Sequence, residues 1–389
     1  MTMKISSHSA LPMPDIDAIA YSKKLSSLIQ AEITESGGWI SFSRYMELAL
    51  YAPGLGYYSA GSQKFGESGD FVTAPEISPL FAQSLANQVR QVLALTDGDV
   101  LELGAGTGKL AAELLLELHL SESLPAQYLI LEVSAHLRGV QQQTLQQCLP
   151  EDIYSRVMWL DVLPEKFSGI ILGNEVLDAL PVNILSNTSD GSRELGVVWN
   201  GAFEWQARDL SGPLYESASK LTLPDDYVTE ICPATSGLIS SLSRILQQGV
   251  ILMIDYGFPH REYYHPQRNQ GTLMCHYRHH AHGDPFAYIG LQDITAHVDF
   301  TAVAIAGVES GTELLGFSSQ AQFLINCGIT DILTRYSPHD ITRYAPLASQ
   351  AQKLLSPAEM GDLFKVIALG KGIAEDLVGF IQGDKRHAL

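Results

Sequence analysis

The feature that most constrains this chain is a set of alternating glycines placed directly after an apolar strand pattern. Val100–Leu103 has the pattern of a short buried strand, and glycines follow at Gly104, Gly106 and Gly108. A helix-forming run, Lys109–Leu118, begins at once. Glycine allows backbone conformations and close approaches that other residues resist. The pattern therefore predicts the first strand–turn–helix unit of an open α/β sheet, in which ligands lie at the carboxyl ends of the strands.

The spacing of the glycines indicates which ligand the turn binds. A dinucleotide fold uses G-x-G-x-x-G and holds a pyrophosphate at the helix N-terminus. The pattern here is E-x-G-x-G-x-G, with Glu102 inside the strand and Ala105 between the first two glycines. This form suits S-adenosylmethionine (SAM), whose amino acid and ribose carry no phosphate. We therefore predict a SAM site, with a dinucleotide-dependent oxidoreductase as the alternative.

Composition narrows the class of protein. The 389 residues carry a net charge of −19 with 46% hydrophobic and 17% charged residues, which is typical of a globular enzyme and argues against nucleic-acid binding. The four cysteines form no C-x-x-C pair, which indicates a reduced, intracellular protein. No apolar run approaches the roughly 20 residues that span a bilayer. We expect a cytoplasmic bacterial protein with a short disordered leader over residues 1–15 and no membrane insertion.

Seven strand candidates surround the glycine turn, and helical patterns separate the early ones, as parallel βαβ units require. They are Val100–Leu103, Tyr128–Val133, Arg156–Leu160, Gly169–Gly173, Val250–Asp255, Thr301–Val308 and Leu363–Leu369. The fold class is therefore α/β, a Rossmann-like seven-stranded sheet whose last two strands form an antiparallel hairpin at one edge. The helix candidates are Lys109–Leu118, Ala135–Cys148, Leu238–Gln247, Ser319–Cys327 and Tyr344–Leu355.

The domain organisation follows from the segments that do not fit this sheet. We expect an N-terminal helical extension over residues 1–95, a SAM-binding domain over 96–372 and a C-terminal tail over 373–389. Insertions at about 181–233 and 258–293 are expected to form a lid. The first insertion contains a predicted hairpin about Asn200 and Gly201, a pair that strongly favours a two-residue turn.

Polar residues end four consecutive predicted strands, where a ligand would lie. Glu132 ends the second strand, at a distance along the chain that suits an acid binding the ribose hydroxyls. Asp161 and Val162 end the third and are predicted to bind the adenine. Asn174 and Glu175 end the fourth, beside the departing methyl group. Each residue alone could be a solvated cap, but their recurrence favours a cofactor site.

Several segments together resemble the MidA-like family of class I SAM-dependent methyltransferases, which includes the mitochondrial complex I assembly arginine methyltransferase. The resemblance implies methylation of an arginine in a protein partner, which in the mitochondrial member is a complex I subunit. It also favours a contact of Asp70 and Thr73 with the methionine part of SAM over the alternative, a loop that only nucleates the helix beginning near Ser78. The matching segments are the glycine turn, Gly69–Ser78, Asn174–Pro181, Asp255–Gly257, Gly271–Leu273, Tyr277–His279, Asp293–Phe300 and Met360–Val366.

Arginine methylation needs carboxylates, because a guanidinium is protonated at physiological pH and its lone pair is delocalised. Glu175 and Asp178 are the natural pair, since residues three apart share a face if the segment is helical. Asp178 could instead cap a helix. Asp255 could help to hold the guanidinium, with a structural hydrogen bond as the alternative. His297, with the nearby Asp299, could relay a proton. The alternative is a helix packed near the sheet, in which both polar groups are satisfied.

Other interpretations stay open at this stage. The Cys275–His282 segment is rich in histidine, but its spacing does not suit a metal site, so we predict no metal. A non-catalytic SAM-binding assembly factor and a methyltransferase for another acceptor are the rival functions. The sequence leaves open whether two chains form a homodimer.

Overall fold

The computed structural model describes residues 11–59 and 73–389, and their contacts divide them into two compact units. The parallel-sheet unit comprises residues 73–177, 236–260 and 298–389. The insert unit comprises residues 11–59, 178–235 and 261–297. No helix in these described ranges combines the length and the apolar character that crossing a membrane requires.

The strands are β1 (Ile40–Ser41), β2 (Asp99–Leu103), β3 (Tyr128–Leu131), β4 (Val157–Leu160), β5 (Phe167–Asn174), β6 (Asn183–Thr188), β7 (Gly191–Trp199), β8 (Phe203–Asp209), β9 (Tyr227–Ile231), β10 (Leu246–Phe258), β11 (Met274–Tyr277), β12 (His280–His282), β13 (Asp293–Thr295), β14 (Val298–Asp299), β15 (Glu313–Ser319) and β16 (Phe364–Lys371). The helices are α1 (Ile16–Glu35), α2 (Phe42–Tyr51), α3 (Ala74–Ile77), α4 (Pro79–Thr96), α5 (Lys109–Leu120), α6 (Ala135–Cys148), α7 (Glu151–Tyr154), α8 (Gly212–Ala218), α9 (Pro233–Ile245), α10 (His260–Tyr263), α11 (Phe300–Glu309), α12 (Gln320–Asn326), α13 (Ile329–Leu333) and α14 (Ile341–Leu355).

The parallel-sheet unit is built on a sheet in the order β15-β16-β10-β5-β2-β3-β4. The five strands from β10 to β4 are parallel, whereas β16 and β15 form an antiparallel hairpin at the edge beside β10. The central strands are mostly apolar because both faces of the sheet are covered, and Val100, Ile170 and Leu252 are fully buried. The predicted class I methyltransferase fold is confirmed.

One predicted strand is wrong. Thr301–Val308 lies within helix α11, and the sixth strand of the sheet is β15 instead. The buried residues Phe300, Val303, Ala304 and Gly307 have the i, i+3, i+4, i+7 spacing of a helix face. Exposed apolar residues on the opposite face, such as Ile305, obscure that period in the sequence.

The other predicted strands are present with small changes at their ends, and five predicted helices are found. Among the strands the largest change is at β10, which spans Leu246–Phe258 instead of Val250–Asp255. Helix α9 begins at Pro233 rather than at Leu238 and ends at Ile245 rather than at Gln247. Gly249, with φ of 139°, lies where β10 passes so close to β5 that an added Cβ would be 1.8 Å from the Gly169 carbonyl oxygen. Glycine is therefore required at this position of the β5–β10 pair.

The insert unit contains two small antiparallel sheets. One has the order β1-β7-β6-β9 with β8 paired to β7, and the other has the order β12-β11-β13. The predicted hairpin about Asn200 and Gly201 is confirmed, but its turn has three residues rather than two, since Trp199 pairs with Phe203 and Ala202 lies in the turn. Helices α1 and α2 pack in the same unit, where Tyr45 and Phe286 are in edge-to-face contact in an aromatic core.

The predicted extension over residues 1–95 is divided between the two units. Helix α4 belongs to the parallel-sheet unit because one of its faces, which includes Phe81 and Val89, is buried in the core around the sheet. Helices α1 and α2 belong to the insert unit together with residues 178–235 and 261–297. Those two segments correspond closely to the predicted insertions.

We expect Gly249→Ala to unfold the protein or to cost several kcal/mol, because the new methyl group has no space beside the Gly169 carbonyl. Gly237→Ala is the matched control. It lies inside helix α9 with nothing within 4 Å of an added Cβ, and it should stabilise by up to about 1 kcal/mol. Urea unfolding monitored by circular dichroism measures both, and equal stability of the two variants would contradict the close approach.

Candidate functional site

The glycine turn joins β2 to α5 at the carboxyl ends of the parallel strands. Gly104, Gly106 and Gly108 have φ values of 59°, 53° and 84°, all in the left-handed region that favours glycine. Nothing lies within 4 Å of a Cβ built on Gly106, so the backbone of the turn is open to a ligand on that side. The Gly108 backbone begins helix α5.

Glu132 lies directly after β3 and is tied to the glycine turn by Gln141 of helix α6. The Gln141 Nε2 donates to Glu132 Oε2 at 2.8 Å and to the Gly106 carbonyl at 3.1 Å. Trp159 Nε1 donates to Gln141 Oε1 at 2.9 Å, which fixes the orientation of the amide. Sequence reasoning missed Gln141, because no motif distinguishes it from the neighbouring glutamines of the helix.

The buried position of Glu132 sets its chemistry. Burial raises the pKa of its carboxyl, and hydrogen bonds from the Ser134 backbone N–H and from Gln141 oppose that rise. A carboxylate held in this way next to a glycine turn can accept hydrogen bonds from two adjacent hydroxyl groups.

Asp161 and Val162 follow β4 on the surface of the unit. The Asp161 side chain is 85% exposed and forms an ion pair of 2.8 Å with Arg138 Nη2. Val162 is 75% exposed, and Val133, at the end of the neighbouring strand, is 80% exposed. Two exposed valines at adjacent strand ends offer apolar contacts to a flat ring. Val133 is a residue that we did not predict to bind the cofactor, although its place next to Glu132 could have indicated it.

The segment after Thr73 contacts the glycine turn directly. Thr73 precedes helix α3, whose Glu76 accepts a short hydrogen bond from the Thr107 hydroxyl. Lys109 Nζ lies 3.5 Å from Glu76 Oε2 and donates to the Glu76 carbonyl at 3.0 Å. Thr73 therefore belongs to a segment anchored at the turn, whereas Asp70 lies outside the described residues.

Glu102 lies inside β2 and is almost completely buried. Tyr128 of β3 donates its hydroxyl to Glu102 Oε2 at 2.7 Å. Burial raises the pKa of Glu102 from its ordinary value of 4.5 to about 7, even though the Tyr128 hydrogen bond opposes the rise. The carboxyl is therefore partly protonated near neutral pH.

Asn174 and Glu175 end β5 in a strained turn. Glu175 has φ of 54°, which is uncommon for a residue with a side chain, and its N–H donates to the Ile254 carbonyl at 2.9 Å. Asn174 Nδ2 donates to Glu175 Oε1 at 3.2 Å. The buried Asn174 Oδ1 has no hydrogen-bond partner among the residues that the structure describes. Strain of this kind clusters at functional sites.

Asp255 holds this turn through hydrogen bonds to its backbone. The residue is fully buried, and its Oδ2 accepts hydrogen bonds from the backbone N–H groups of Val176 at 3.1 Å and Leu177 at 2.8 Å. Its Oδ1 accepts from the Tyr256 N–H at 3.0 Å. These contacts match the structural alternative for Asp255 and fit a residue that positions Glu175.

Asp178 and His297 lie in the insert unit, where the backbone brings their segments together. The N–H of Ala296 donates to the Asp178 carbonyl at 3.0 Å, and the His297 N–H donates to Thr272 Oγ1 at 3.1 Å. Asp299, considered above with His297, accepts hydrogen bonds from the first turn of helix α11 and lies 3.2 Å from His260 Nδ1.

The histidine-rich segment forms strands β11 and β12, with Cys275 buried between β12 and β13. Within residues 11–59 and 73–389, no three His, Cys, Asp or Glu side chains are grouped so that they could hold a metal ion.

Comparison with known proteins identifies the class to which this site belongs. Residues 80–318 match the family model described as "Putative S-adenosyl-L-methionine-dependent methyltransferase". The match covers more than half of the chain, and the chain belongs to this family, the MidA-like class I methyltransferases.

Solved structures and curated relatives agree with this assignment. A crystal structure of a Burkholderia thailandensis protein bound to S-adenosyl-homocysteine is 50% identical, with a TM-score of 0.95 over 98% of this chain and 100% of that one. A second, native structure from the same organism is 49% identical, with a TM-score of 0.92 over the same shares of both chains. Among curated proteins, a mitochondrial protein arginine methyltransferase NDUFAF7 homolog of Drosophila melanogaster is 28% identical over 90% of this chain and 85% of its own length.

The protein is therefore a SAM-dependent methyltransferase, and SAM is its cofactor. The open backbone at Gly106, the buried Glu132 and the exposed Val133 and Val162 fit the polar and apolar parts of that molecule. SAM supplies an electrophilic methyl group on a sulfonium, and the chain's own residues hold the donor and position the acceptor.

Gly106→Arg should abolish SAM binding, because the side chain would project from the open face of the turn and occupy the left-handed backbone position unfavourably. Isothermal calorimetry with SAM and with S-adenosylhomocysteine measures the loss, expected to exceed about 100-fold in Kd, or about 3 kcal/mol. Gly139→Arg, on an exposed position of helix α6 with open space around it, is the control and should bind normally. Unchanged affinity in Gly106→Arg would remove the turn from the site.

Glu102 should make the apo-protein less stable at high pH. Its folded pKa of about 7 lies above the ordinary value of 4.5, so its contribution is fully present below pH 4.5 and is lost as pH rises through 7. Relative to Glu102→Gln, which cannot titrate, the wild type should lose up to about 3 kcal/mol of unfolding free energy between pH 5 and pH 8. Urea titrations across this range measure the difference, and parallel curves for the two proteins would contradict the raised pKa.

Proposed function

We propose that this enzyme transfers the methyl group of SAM to the side chain of an arginine in a protein substrate. The observation that carries the proposal is Glu175, a carboxylate held in a left-handed backbone conformation at the carboxyl end of β5. The names of the curated relatives support it, because the Drosophila melanogaster and Danio rerio proteins, 28% and 29% identical, are named protein arginine methyltransferases.

The chemistry of the acceptor explains why a fixed carboxylate is needed. A guanidinium has a pKa above about 12, and its charge is spread over three nitrogens, so none of them is a good nucleophile. A carboxylate that binds two N–H groups draws the charge toward itself and leaves the third nitrogen freer to attack. Methyl transfer is an in-line displacement, and much of its acceleration comes from holding the reacting atoms in position.

The backbone around Glu175 supplies this positioning. Asp255 holds the following residues Val176 and Leu177 through their N–H groups, and the Ile254 carbonyl accepts from the Glu175 N–H. The Asn174 amide donates to the Glu175 carboxylate from the side. These contacts hold the backbone of Glu175 in its left-handed conformation, and the Asn174 amide contributes to the placement of the partly buried carboxylate.

Asp178 and His297 complete the proposal. We assign Asp178 as the second carboxylate for the guanidinium and His297 as the group that accepts the proton after transfer, because a neutral imidazole can do so near neutral pH. Asp255 is assigned to positioning rather than to substrate contact. A respiratory complex I subunit is the first protein acceptor to test, following the family resemblance.

Two other functions compete with this one. A methyltransferase for a different acceptor would share the cofactor site, and a SAM-binding assembly factor would hold the cofactor without turnover. The first differs from our proposal in the product, and the second differs in the absence of any product. Both distinctions are accessible in one experiment with labelled SAM.

Glu175→Gln should reduce methyl transfer by about 1,000-fold or more while SAM affinity changes less than about threefold, because the amide keeps the shape and loses the charge. Glu165→Gln, an exposed position in the same unit, is the control. The purified enzyme and labelled SAM are incubated with lysate from cells lacking the gene, and methylated residues are identified by mass spectrometry.

The outcomes separate the three functions. Methylarginine that forms with wild type and Glu165→Gln but not with Glu175→Gln supports the proposal. Label on another residue or on a small molecule would replace arginine as the acceptor. SAM binding with no labelled product from any fraction would favour the assembly factor.

A further inference from the structure

A carboxylate of the insert unit, Glu230, lies outside every role assigned so far. It is on strand β9 and is 1% exposed. Burying a carboxylate is costly unless hydrogen-bond donors surround it, so such a residue indicates a requirement that an apolar residue could not meet. The contacts of Glu230 show what it holds.

Glu230 binds the segment Gly271–Leu273 closely. Its Oε1 accepts from the Thr272 N–H at 2.9 Å and from the Leu273 N–H at 3.0 Å. Its Oε2 accepts from the Thr272 hydroxyl at 3.0 Å. Gly271 has φ of 75°, and a Cβ built on it would be 2.3 Å from Glu230 Oε1, so the loop is fitted against the carboxylate. All these partners are donors, which suits the ionised form of the acid.

The Thr272 hydroxyl connects this carboxylate to His297. A hydroxyl has a single proton, and here it is directed to Glu230 Oε2. The oxygen therefore presents its lone pairs elsewhere, and one of them accepts the His297 N–H at 3.1 Å. The preceding residue, Ala296, donates its N–H to the Asp178 carbonyl at 3.0 Å. The backbone at 296–297 is thus held from two sides, once by Asp178 and once by Glu230 through Thr272.

We propose that Glu230 is a positioning residue of the methyl transfer, which fixes the backbone of His297 through the Thr272 hydroxyl. The inference rests on the proposed function, because that function gives His297 its role as proton acceptor. Glu230 itself touches neither the cofactor nor the acceptor in this scheme. Glu230 affects the reaction only by fixing the position of the His297 imidazole.

Four single variants test the connection. Glu230→Gln turns an N–H₂ group toward the backbone donors, and Thr272→Val removes the hydroxyl with little change of shape. Thr272→Ser keeps the hydroxyl, and its methyl-transfer activity should be at least about tenfold higher than that of Thr272→Val. Glu194→Gln is the matched control, since Glu194 is a partly buried acid of the same unit that accepts from Asn183 Nδ2 at 2.8 Å.

The first measurement is amide hydrogen exchange in a peptide covering residues 295–298. Exchange of the His297 amide should accelerate at least about tenfold in Glu230→Gln and Thr272→Val, but not in Thr272→Ser or Glu194→Gln. This readout needs no acceptor. Unchanged exchange in both of the disruptive variants would overturn the inference, and Thr272→Val decides the matter if Glu230→Gln does not fold.

The second measurement is the rate of methyl transfer in a double-mutant cycle with His297→Ala. If Glu230 acts through His297, Glu230→Gln lowers kcat by about 10- to 100-fold at unchanged SAM affinity, and it adds nothing in the His297→Ala background. Additive losses, or full activity in Glu230→Gln, would overturn the inference. Failure of the proposed function is distinguishable, because the wild type would then form no methylarginine. Glu230 would have no role in arginine methylation in that case, and amide hydrogen exchange would still test whether Glu230 holds the His297 backbone.

Discussion

The candidate site depends on the hydrogen bonds that the buried Asp255 carboxylate accepts near the carboxyl end of β10. Three backbone N–H groups, those of Val176, Leu177 and Tyr256, point at its two oxygens. Burying a carboxylate is costly unless hydrogen-bond donors surround it. The geometry of these hydrogen bonds restricts where the three backbone N–H groups can lie. Because the first two follow Glu175 directly, the strained turn after β5 has one conformation.

Buried acids that accept several hydrogen bonds occur in both units. Glu132 accepts hydrogen bonds from the Ser134 N–H and from Gln141, and Glu230 accepts them from Thr272 and Leu273. In each case an acid that burial would otherwise penalise organises a loop at the end of a strand. Buried networks of this kind specify one arrangement strongly when every donor and acceptor is used. Within each unit, the strands provide the frame and the buried acid holds the loop that contacts it.

The fold could be predicted in most of its elements because its signals are local. The apolar runs at β2, β3 and β5 are bounded by turn residues, and each is a strand at nearly the predicted place. The failure at Thr301–Val308 has a specific cause, since a helix with apolar residues on its exposed face loses the periodicity that distinguishes it from a strand. The Asp299 side chain, which caps that helix, was visible in the sequence and could have corrected the assignment.

The sequence by itself determined the glycine turn, the order of strand-end acids and the family, because each of these depends on residue types in short segments that can be recognised along the chain. Only the tertiary structure decided which polar side chain meets which backbone group. Gln141 reaches Gly106 across 35 residues, and Glu230 meets Thr272 across 42. Such partners are brought together by the register of strands and the packing of helices on the sheet. Neither leaves a periodic signal in the chain, and this is why the backbone N–H groups that Asp255 accepts from could be identified only in the structure.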